Sequence, residues 1–197
     1  MPRSIDREER KRLIAQTAWG LVATQGLKGA TVRNIAEAAH LSVGSVQHVF
    51  KSSKDIYLFA MEQAVASAAA RIDAAPSSAH DPLAAVQHVL CELLPLDKTR
   101  EVEARTWLAF TAEALVEPTL AEASSAMQHL LGQVARSCIE ALDEAELLRA
   151  DADRELEAVN LQAFVDGLTL QMLVAPKSLP ASKAKGALRS YLQGICA

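Results

Sequence analysis

Apolar residues recur at helical spacing along almost the whole chain. Near the N-terminus, Ile14, Ala18, Leu21 and Val22 fall on one face of a helix. We find no run of alternating β-branched residues bounded by turns, so a sheet is not expected. Prolines, glycines and capping residues divide the pattern into about nine helices, four before a Pro- and Ser-rich break over residues 75–82 and five after it. The predicted fold class is all-α.

Local signals give approximate helix bounds. The first helix is predicted to begin at Asp6, with Glu9 completing a capping pair, and to end at Gly26. Thr31 caps a second helix that ends near residue 39, and Ser42 caps a third. The remaining helices are predicted at about 53–74, 82–94, 98–116, 118–143, 152–174 and 181–195.

Charge is distributed unevenly along the chain. The first 54 residues carry nine lysines and arginines against four acidic residues, whereas the rest carries 11 basic and 20 acidic residues. A basic N-terminal quarter on an acidic body is typical of a polyanion-binding domain joined to a larger one. We therefore predict two domains, residues 1–54 and 55–197.

The second and third helices, joined by a tight turn, match a helix-turn-helix, whose second helix enters the major groove of DNA. Its buried side is predicted to include Ile35, Ala36, Val46 and Phe50. The outward residues of the third helix are small and polar, which suits a DNA groove better than a protein core. They are Val43, Gly44, Ser45, Gln47 and His48.

Each outward residue has a chemical role open to it. Ser42 and Ser45 can donate to phosphates at the helix N-terminus, Gln47 can read adenine edges, and Val43 can lie against a thymine methyl group. Gly44 lowers helix stability by about 1 kcal/mol relative to alanine, which is reasonable if its backbone approaches another surface.

Residues 31–50, TVRNIAEAAHLSVGSVQHVF, resemble the helix-turn-helix of the TetR family of bacterial transcriptional regulators. The family pattern runs T-x-x-x-I-A-x-x-A-G-[VL]-S-x-G-x-[LV]-Y-x-[HY]-F. The residues that fit it are Thr31, Ile35, Ala36, Ala39, Leu41, Ser42, Gly44, Val46 and Phe50.

Three departures from that pattern matter. His40 replaces the turn glycine, Gln47 replaces a DNA-contacting tyrosine, and one extra residue separates Phe50 from Lys54. Val49, in place of the usual aromatic residue or histidine, is a milder change. His40 must then accept a left-handed backbone. Base preference and the phosphate role of Lys54 are correspondingly open.

The resemblance implies a set of DNA-contacting residues. Arg33 contacts a base or a phosphate, Val43, Gly44 and Gln47 face the groove, and Ser45 faces the DNA backbone. His48 and Lys51 are also implied backbone contacts, although His48 could instead cap or pack and Lys51 could simply be solvated. The full predicted DNA-binding set is Thr31, Arg33, Ser42, Val43, Gly44, Ser45, Gln47, His48, Lys51 and Lys54.

The C-terminal half resembles a TetR subgroup that includes choline-responsive-type repressors, in residues 105–122 and 161–179. The resemblance implies binding of a small-molecule effector and a homodimer formed by the last two helices. Both helices have broad apolar faces, with Leu156, Val159, Leu161, Phe164, Leu168, Leu170 and Leu173 in one and Leu188, Tyr191, Leu192 and Ile195 in the other.

Bulky side chains that could line an effector cavity are Trp107, Phe110, Met127, Phe164 and Met172, each of which could equally be ordinary core. Polar candidates for orienting a ligand, each of which could instead face solvent, are Glu113, Gln128, His129 and Gln171. Asp166 could form a salt bridge or be a structural acid of the family. The low aromatic content of 4% argues against an aromatic cage for a quaternary ammonium ligand.

Other classes of function fit less well. The three cysteines lie far apart, and no metal-ligand spacing, nucleophile–base pair or phosphate loop is present, so neither an enzyme nor a cofactor is expected. A helical protein-interaction module would favour Trp, Tyr and Arg on its outward face. Without a signal segment or a membrane-length apolar run, we expect a protein of the reducing cytoplasm. The prediction is a ligand-responsive repressor that binds a double-stranded DNA operator.

Overall fold

The computed structural model describes residues 7–74 and 81–197, and over these ranges the predicted all-α fold is confirmed. Its helices are α1 (Arg7–Gly29), α2 (Val32–Ala38), α3 (Val43–Gln47), α4 (Ser53–Asp73), α5 (Pro82–Glu92), α6 (Lys98–Ala114), α7 (Pro118–Glu144), α8 (Arg154–Val174) and α9 (Ala181–Ile195). Within the same ranges β-pairing is limited to an isolated bridge between Leu148 and Cys196.

The predicted helix ends agree closely with the observed ones, apart from two places. α1 breaks at Gly26, which has φ 71°, and then resumes as a short turn to Gly29, so the predicted end is a kink. The predicted capping residue Asp6 and most of the predicted break over 75–82 lie outside the described residues.

The described residues form two compact units. The first contains the chain up to Ser67 together with Arg105–Ala123, and the second contains Ala68–Ala104 and Ser124–Ala197. The helices α4, α6 and α7 each contribute residues to both units. Packing thus assigns most of α4, the C-terminal part of α6 and the start of α7 to the first unit. The predicted functional boundary after residue 54 stays a prediction.

The core of the first unit joins α1 to the helix-turn-helix. Ile14, Ile35, Val46 and Ile56 are fully buried in it. Phe110 from α6 and Leu120 from α7 belong to the same cluster. Burial of this apolar surface orients α2 and α3 in spite of their short length, because such short helices are unstable alone.

The second unit has its own core, built from α5 and the later helices. Leu90, Ile139, Leu142, Leu161 and Leu188 are almost completely buried there. The C-terminal segment is fixed by backbone hydrogen bonds from Arg149 N–H to the Ile195 carbonyl and from Ala197 N–H to the Leu147 carbonyl. The apolar faces of α8 and α9 that were predicted to form a dimer interface are therefore partly used here. Leu161, Leu168, Leu188, Leu192 and Ile195 are buried in this unit's own core, whereas Leu156, Val159 and Leu170 are exposed.

Candidate DNA-binding surface and effector domain

The two helices of the helix-turn-helix begin at side-chain caps. The Thr31 hydroxyl accepts a hydrogen bond from Asn34 N–H at the start of α2, and the Ser42 hydroxyl accepts one from Ser45 N–H at the start of α3. Between them, His40 adopts the left-handed conformation with φ 54°. The turn thus has the conformation expected where glycine is common, and histidine occupies it.

The outward face of α3 is open to solvent. Val43 is 41% exposed, and Gly44, Gln47 and His48 are exposed as well. On the opposite side, Val46 is completely buried. Helical periodicity and the fixed position of Val46 therefore determine which side chains α3 presents.

The packing around Gly44 does not require a glycine at this position. A Cβ atom added there would meet nothing closer than the Ser42 hydroxyl at 3.9 Å, which is ordinary contact. Glycine inside a helix lowers stability by about 1 kcal/mol relative to alanine. The described protein surroundings do not compensate for that loss, which favours a role for the bare backbone towards an external surface.

Ser42 and Ser45 form one hydroxyl pair at the start of α3. Their Oγ atoms lie 2.9 Å apart, so one hydroxyl donates to the other. Because the Ser42 hydroxyl already caps α3, a proton donated by Ser45 leaves the Ser42 proton free for an anion. Of the other predicted contacts, Thr31, Arg33 and Lys51 are exposed.

Lys54 lies in a different setting from the other predicted contacts. Ser52 and Asp55 form a reciprocal capping box at the start of α4, with Asp55 N–H donating to the Ser52 hydroxyl and Ser52 N–H donating to the Asp55 carboxylate. Thr119 donates two hydrogen bonds to Glu117, which lower the pKa of that carboxyl group, and the charge of half-buried Lys54 adds to the effect. The positive charge of Lys54 is thus partly offset by the negative charge of Glu117.

Tyr57 fixes α4 against the segment that precedes the helix-turn-helix. Its hydroxyl donates to the carbonyls of Ala30 and Leu27. Burial raises the pKa of the Tyr57 hydroxyl, against a smaller lowering by a hydrogen bond with Ser53. The start of α4 is therefore held by a neutral phenol in a partly buried setting.

The predicted effector residues lie in both units. Trp107 and Phe110 belong to the first unit, where Phe110 is buried in the core and the buried indole N–H of Trp107 has no hydrogen-bond partner among the described residues. Met127, Phe164 and Met172 belong to the second unit. Phe164 stacks on Tyr191 at 4.5 Å, and Met172 is buried in the same core cluster.

The polar candidates differ in exposure. His129 and Gln171 are exposed, whereas Glu113 is half-buried. Gln128 accepts a hydrogen bond from the Gln162 side chain at 3.0 Å. Burial raises the pKa of Asp166.

Sequence reasoning missed His88. In the second unit, its Nε2 is the buried side-chain nitrogen or oxygen that has no hydrogen-bond partner among the described residues. An unpaired buried polar atom typically calls for an absent water or ligand. Only three-dimensional packing could show this, because a single histidine on an apolar helix carries no pattern.

An apolar stripe covers the outer face of α8. Leu156, Val159 and Val174 are 56%, 63% and 68% exposed. The residues of this stripe, which we call the α8 stripe, recur at spacings of three and four: Leu156, Val159, Ala163, Gly167, Leu170 and Val174. The outer face of α9 has Gly186, Ser190 and Gly194, where a Cβ at either glycine would meet nothing within 4 Å. Such faces can approach another helix closely.

Burial disfavours the thiolate form of the three cysteines. Burial raises the pKa of Cys138 to about 12, and it also raises the pKa of Cys91 and Cys196. Among the described residues, no three His, Cys, Asp or Glu side chains come together as a metal site. Over residues 7–74 and 81–197, every helix is too short or too polar to cross a lipid bilayer.

Comparison with known families and structures covers nearly the whole chain. Residues 14–58 match the family described as bacterial regulatory proteins, tetR family, and residues 82–197 match the BetI-type transcriptional repressor C-terminal domain. The HTH-type transcriptional regulator PksA of Bacillus subtilis is 32% identical over 100% of this chain and 94% of its own length.

Solved structures show the same fold. A transcriptional regulator from Rhodococcus sp. Rha1 superposes with a TM-score of 0.80 at 29% identity, over 94% of this chain and 95% of the other. A putative transcriptional regulator from Saccharomonospora viridis, in complex with choline, superposes with a TM-score of 0.82 at 22% identity, over 96% and 98% of the two chains.

Proposed function

Because this chain belongs to the TetR family of bacterial transcriptional regulators and has a C-terminal domain of the BetI type, we propose that it is a homodimeric repressor. As such, it binds a palindromic operator and leaves it when a small-molecule effector binds. The observation that carries the proposal is the outward face of α3. The packing does not require glycine at position 44, and Val43, Gln47 and His48 are exposed. The proposed compartment is the bacterial cytoplasm, where the operator is.

In the proposed complex, α3 lies in the major groove. Gln47 reads a base edge, Val43 contacts a thymine methyl group, and Gly44 lets the backbone approach the DNA. The other contacts hold the register on the phosphates, with Arg33 open to either a base or a phosphate. They are Thr31, Ser42, Ser45, His48, Lys51 and Lys54. We expect the Lys54 contact to be the weakest, because the negative charge of Glu117 offsets the charge of Lys54.

The proposed dimer forms through the outer faces of α8 and α9. The α8 stripe supplies apolar area, and Gly186 and Gly194 allow α9 to approach the partner closely. Four helices, two from each subunit, then form a twofold interface. A twofold dimer presents its two α3 helices to successive turns of the major groove, about 34 Å apart.

The predicted effector-lining residues are Trp107 and Phe110 in the first unit and Met127, Phe164 and Met172 in the second. Within the second unit we add His88, whose buried Nε2 has no hydrogen-bond partner among the described residues. An effector with a hydrogen-bonding group would satisfy it. The effector acts by population shift, since it binds more tightly to a dimer whose α3 helices are wrongly spaced for the operator.

The experiment that tests the proposal is selection of bound duplexes from a random DNA pool, followed by sequencing. We expect a palindrome of two half-sites, with affinity that falls steeply as salt increases. Metabolites are then screened for release of that duplex. Enrichment of a single half-site would refute the dimeric complex, and an unenriched pool at low salt would refute sequence-specific binding by the free protein.

A further inference from the structure

The turn between α6 and α7 carries a carboxylate that is held in place by hydrogen bonds. Glu117 is the residue just before α7, which begins at Pro118. Its Oε1 accepts hydrogen bonds from the Thr119 N–H at 3.2 Å and from the Thr119 hydroxyl at 2.9 Å. The Glu117 carbonyl accepts another, from Leu120 N–H at 3.0 Å. Glu117 therefore caps α7, and its carboxylate has a defined position.

This turn packs against the start of α4 within the first unit. Leu120 of α7 is buried in the hydrophobic cluster that contains Ile56 and Tyr57 of α4. Glu113 lies one turn before Glu117, whose N–H donates to the Glu113 carbonyl at 2.9 Å. Burial raises the pKa of Tyr57, and the negative charge of Glu113 raises it further. The α6–α7 turn thus brings negative charge to the N-terminal end of α4.

Lys54 lies in the first turn of α4, beside this negative charge, and its side chain is half-buried. The hydrogen bonds from Thr119 lower the pKa of Glu117, and the positive charge of Lys54 lowers it further. Glu117 is therefore ionised at neutral pH. Because the interaction between Lys54 and Glu117 is Coulombic, it acts without fixing the lysine in one geometry.

A carboxylate at this position opposes the approach of Lys54 to DNA. A lysine that neutralises a phosphate releases a counterion from the duplex, which is the main source of salt-dependent affinity. The charge of Glu117 offsets that of Lys54 and also repels the phosphate that Lys54 would contact. Phosphate contacts carry no direct sequence information, so this opposition applies to all duplexes alike.

We propose that Glu117 sets the affinity for DNA by opposing the phosphate contact of Lys54. The inference rests on the proposed function, since it requires a chain that binds DNA through α3 and the start of α4. Glu117 is not itself a DNA contact and acts only through Lys54. A lower operator affinity also reduces the free energy that an effector must supply to release the DNA.

The test removes the charge of Glu117 and keeps its shape. Glu117→Gln retains an acceptor oxygen for the two hydrogen bonds from Thr119. Glu122→Gln is the matched control, because Glu122 is an exposed carboxylate of the same unit and its substitution changes the net charge equally. Both changes are also made in a Lys54→Gln background.

Dissociation constants are measured from about 50 to about 200 mM salt, with folding checked by circular dichroism. The duplexes are the one selected by the wild-type protein and one of unrelated sequence. We expect Glu117→Gln to bind both about threefold more tightly at about 0.1 M salt, with a salt slope steeper by about 0.9, as for one more phosphate contact. In the Lys54→Gln background the gain should disappear, and Glu122→Gln should bind like the wild type.

Three results would overturn the proposal. They are an unchanged affinity and salt slope in folded Glu117→Gln, an equal gain in Glu122→Gln, and a gain that persists in the Lys54→Gln background. Each of them would leave DNA binding by the wild-type protein intact and refute this inference alone. A wild-type protein that binds no duplex would refute the proposed function and this inference with it.

Discussion

Single residues of α3 divide into those that hold the helix and those that face outward. Val46 is completely buried, whereas the neighbouring Gln47 and His48 are exposed. Substitutions on the outward face should therefore change DNA recognition without unfolding the protein. This separation allows the role of each side chain to be measured independently.

Gln47 and Lys51 should have different effects on DNA binding. Gln47→Ala is expected to weaken binding to the selected site by about 1–3 kcal/mol and to relax base preference at one position. Lys51→Ala should weaken all sequences equally and reduce the salt slope by about one phosphate contact. Selection and salt titration measure both, with Gln133→Ala on the exposed surface of α7 as control. Unchanged base preference in Gln47→Ala would contradict the proposed groove contact.

The left-handed turn residue gives a stability prediction. His40→Gly should raise the free energy of unfolding by about 1 kcal/mol, because histidine at φ 54° is strained and its side chain is exposed. Glu146→Gly, at φ 57°, should do the same. Gly26→Ala should lower stability by a similar amount, since Gly26 has φ 71° and an open surrounding. Denaturant unfolding measures all three, and a loss of stability in His40→Gly would show that its side chain has a stabilising role.

At the scale of elements, α8 has two apolar faces in different environments. Leu161, Val165 and Leu168 are buried in the core of the second unit. The α8 stripe lies on the opposite side and is exposed in the single chain. A helix with apolar residues on both faces is common where one face covers a subunit core and the other meets a partner.

A charge in the α8 stripe should dissociate the proposed dimer. Val159→Asp is expected to weaken dimerisation by about 2 kcal/mol for each substituted residue. A twofold interface contains that residue twice, once from each subunit. Sedimentation velocity against concentration measures the change. Leu115→Asp is the matched control, because Leu115 is 84% exposed but lies at the end of α6, outside the stripe. Equal dissociation by both variants would argue against an interface centred on α8.

At the scale of the whole molecule, several protonated groups are held neutral by burial. Cys138 has its pKa raised from 9.0 to about 12, and Tyr191 has its pKa raised from 10.0 to about 12, in both cases first through burial. The unfolded chain releases these protons at lower pH than the folded protein does. The stability they contribute is therefore full below pH 9 and is lost as the pH rises towards 12.

The stability of the protein should therefore depend on pH in the alkaline range. The free energy of unfolding should decrease above pH 9 as Cys138 ionises in the unfolded chain, by up to about 1.4 kcal/mol per pH unit, and Tyr191 adds to the decrease only above pH 10. Denaturant titrations at pH 8, 9 and 10 measure this slope. Cys138→Ala should reduce the slope, since it removes one of the groups, although the variant is somewhat less stable at neutral pH. An identical slope in the variant would show that the Cys138 thiol is not responsible.

Local chemistry was sufficient to predict much of the fold and which side of α3 is exposed. The caps at Thr31 and Ser42 and the capping box of Ser52 with Asp55 depend on residues three apart, so sequence reveals them. The left-handed turn at His40 followed from the family resemblance, because His40 stands where the TetR pattern has glycine. By contrast, Arg71 and Glu103 are 32 positions apart, and their pairing depends on how three helices cross.

The sequence by itself determined the helices, the family and the residues that α3 turns outward, because periodicity, capping and the helix-turn-helix pattern act over a few neighbouring positions. Tertiary structure decided which apolar residues are core and which remain exposed. It placed Phe110 beside the helix-turn-helix core, left His88 Nε2 buried and unpaired among the described residues, and paired Arg71 with Glu92 and Glu103. These outcomes depend on packing between distant segments, and periodicity along one helix carries no information about its neighbours.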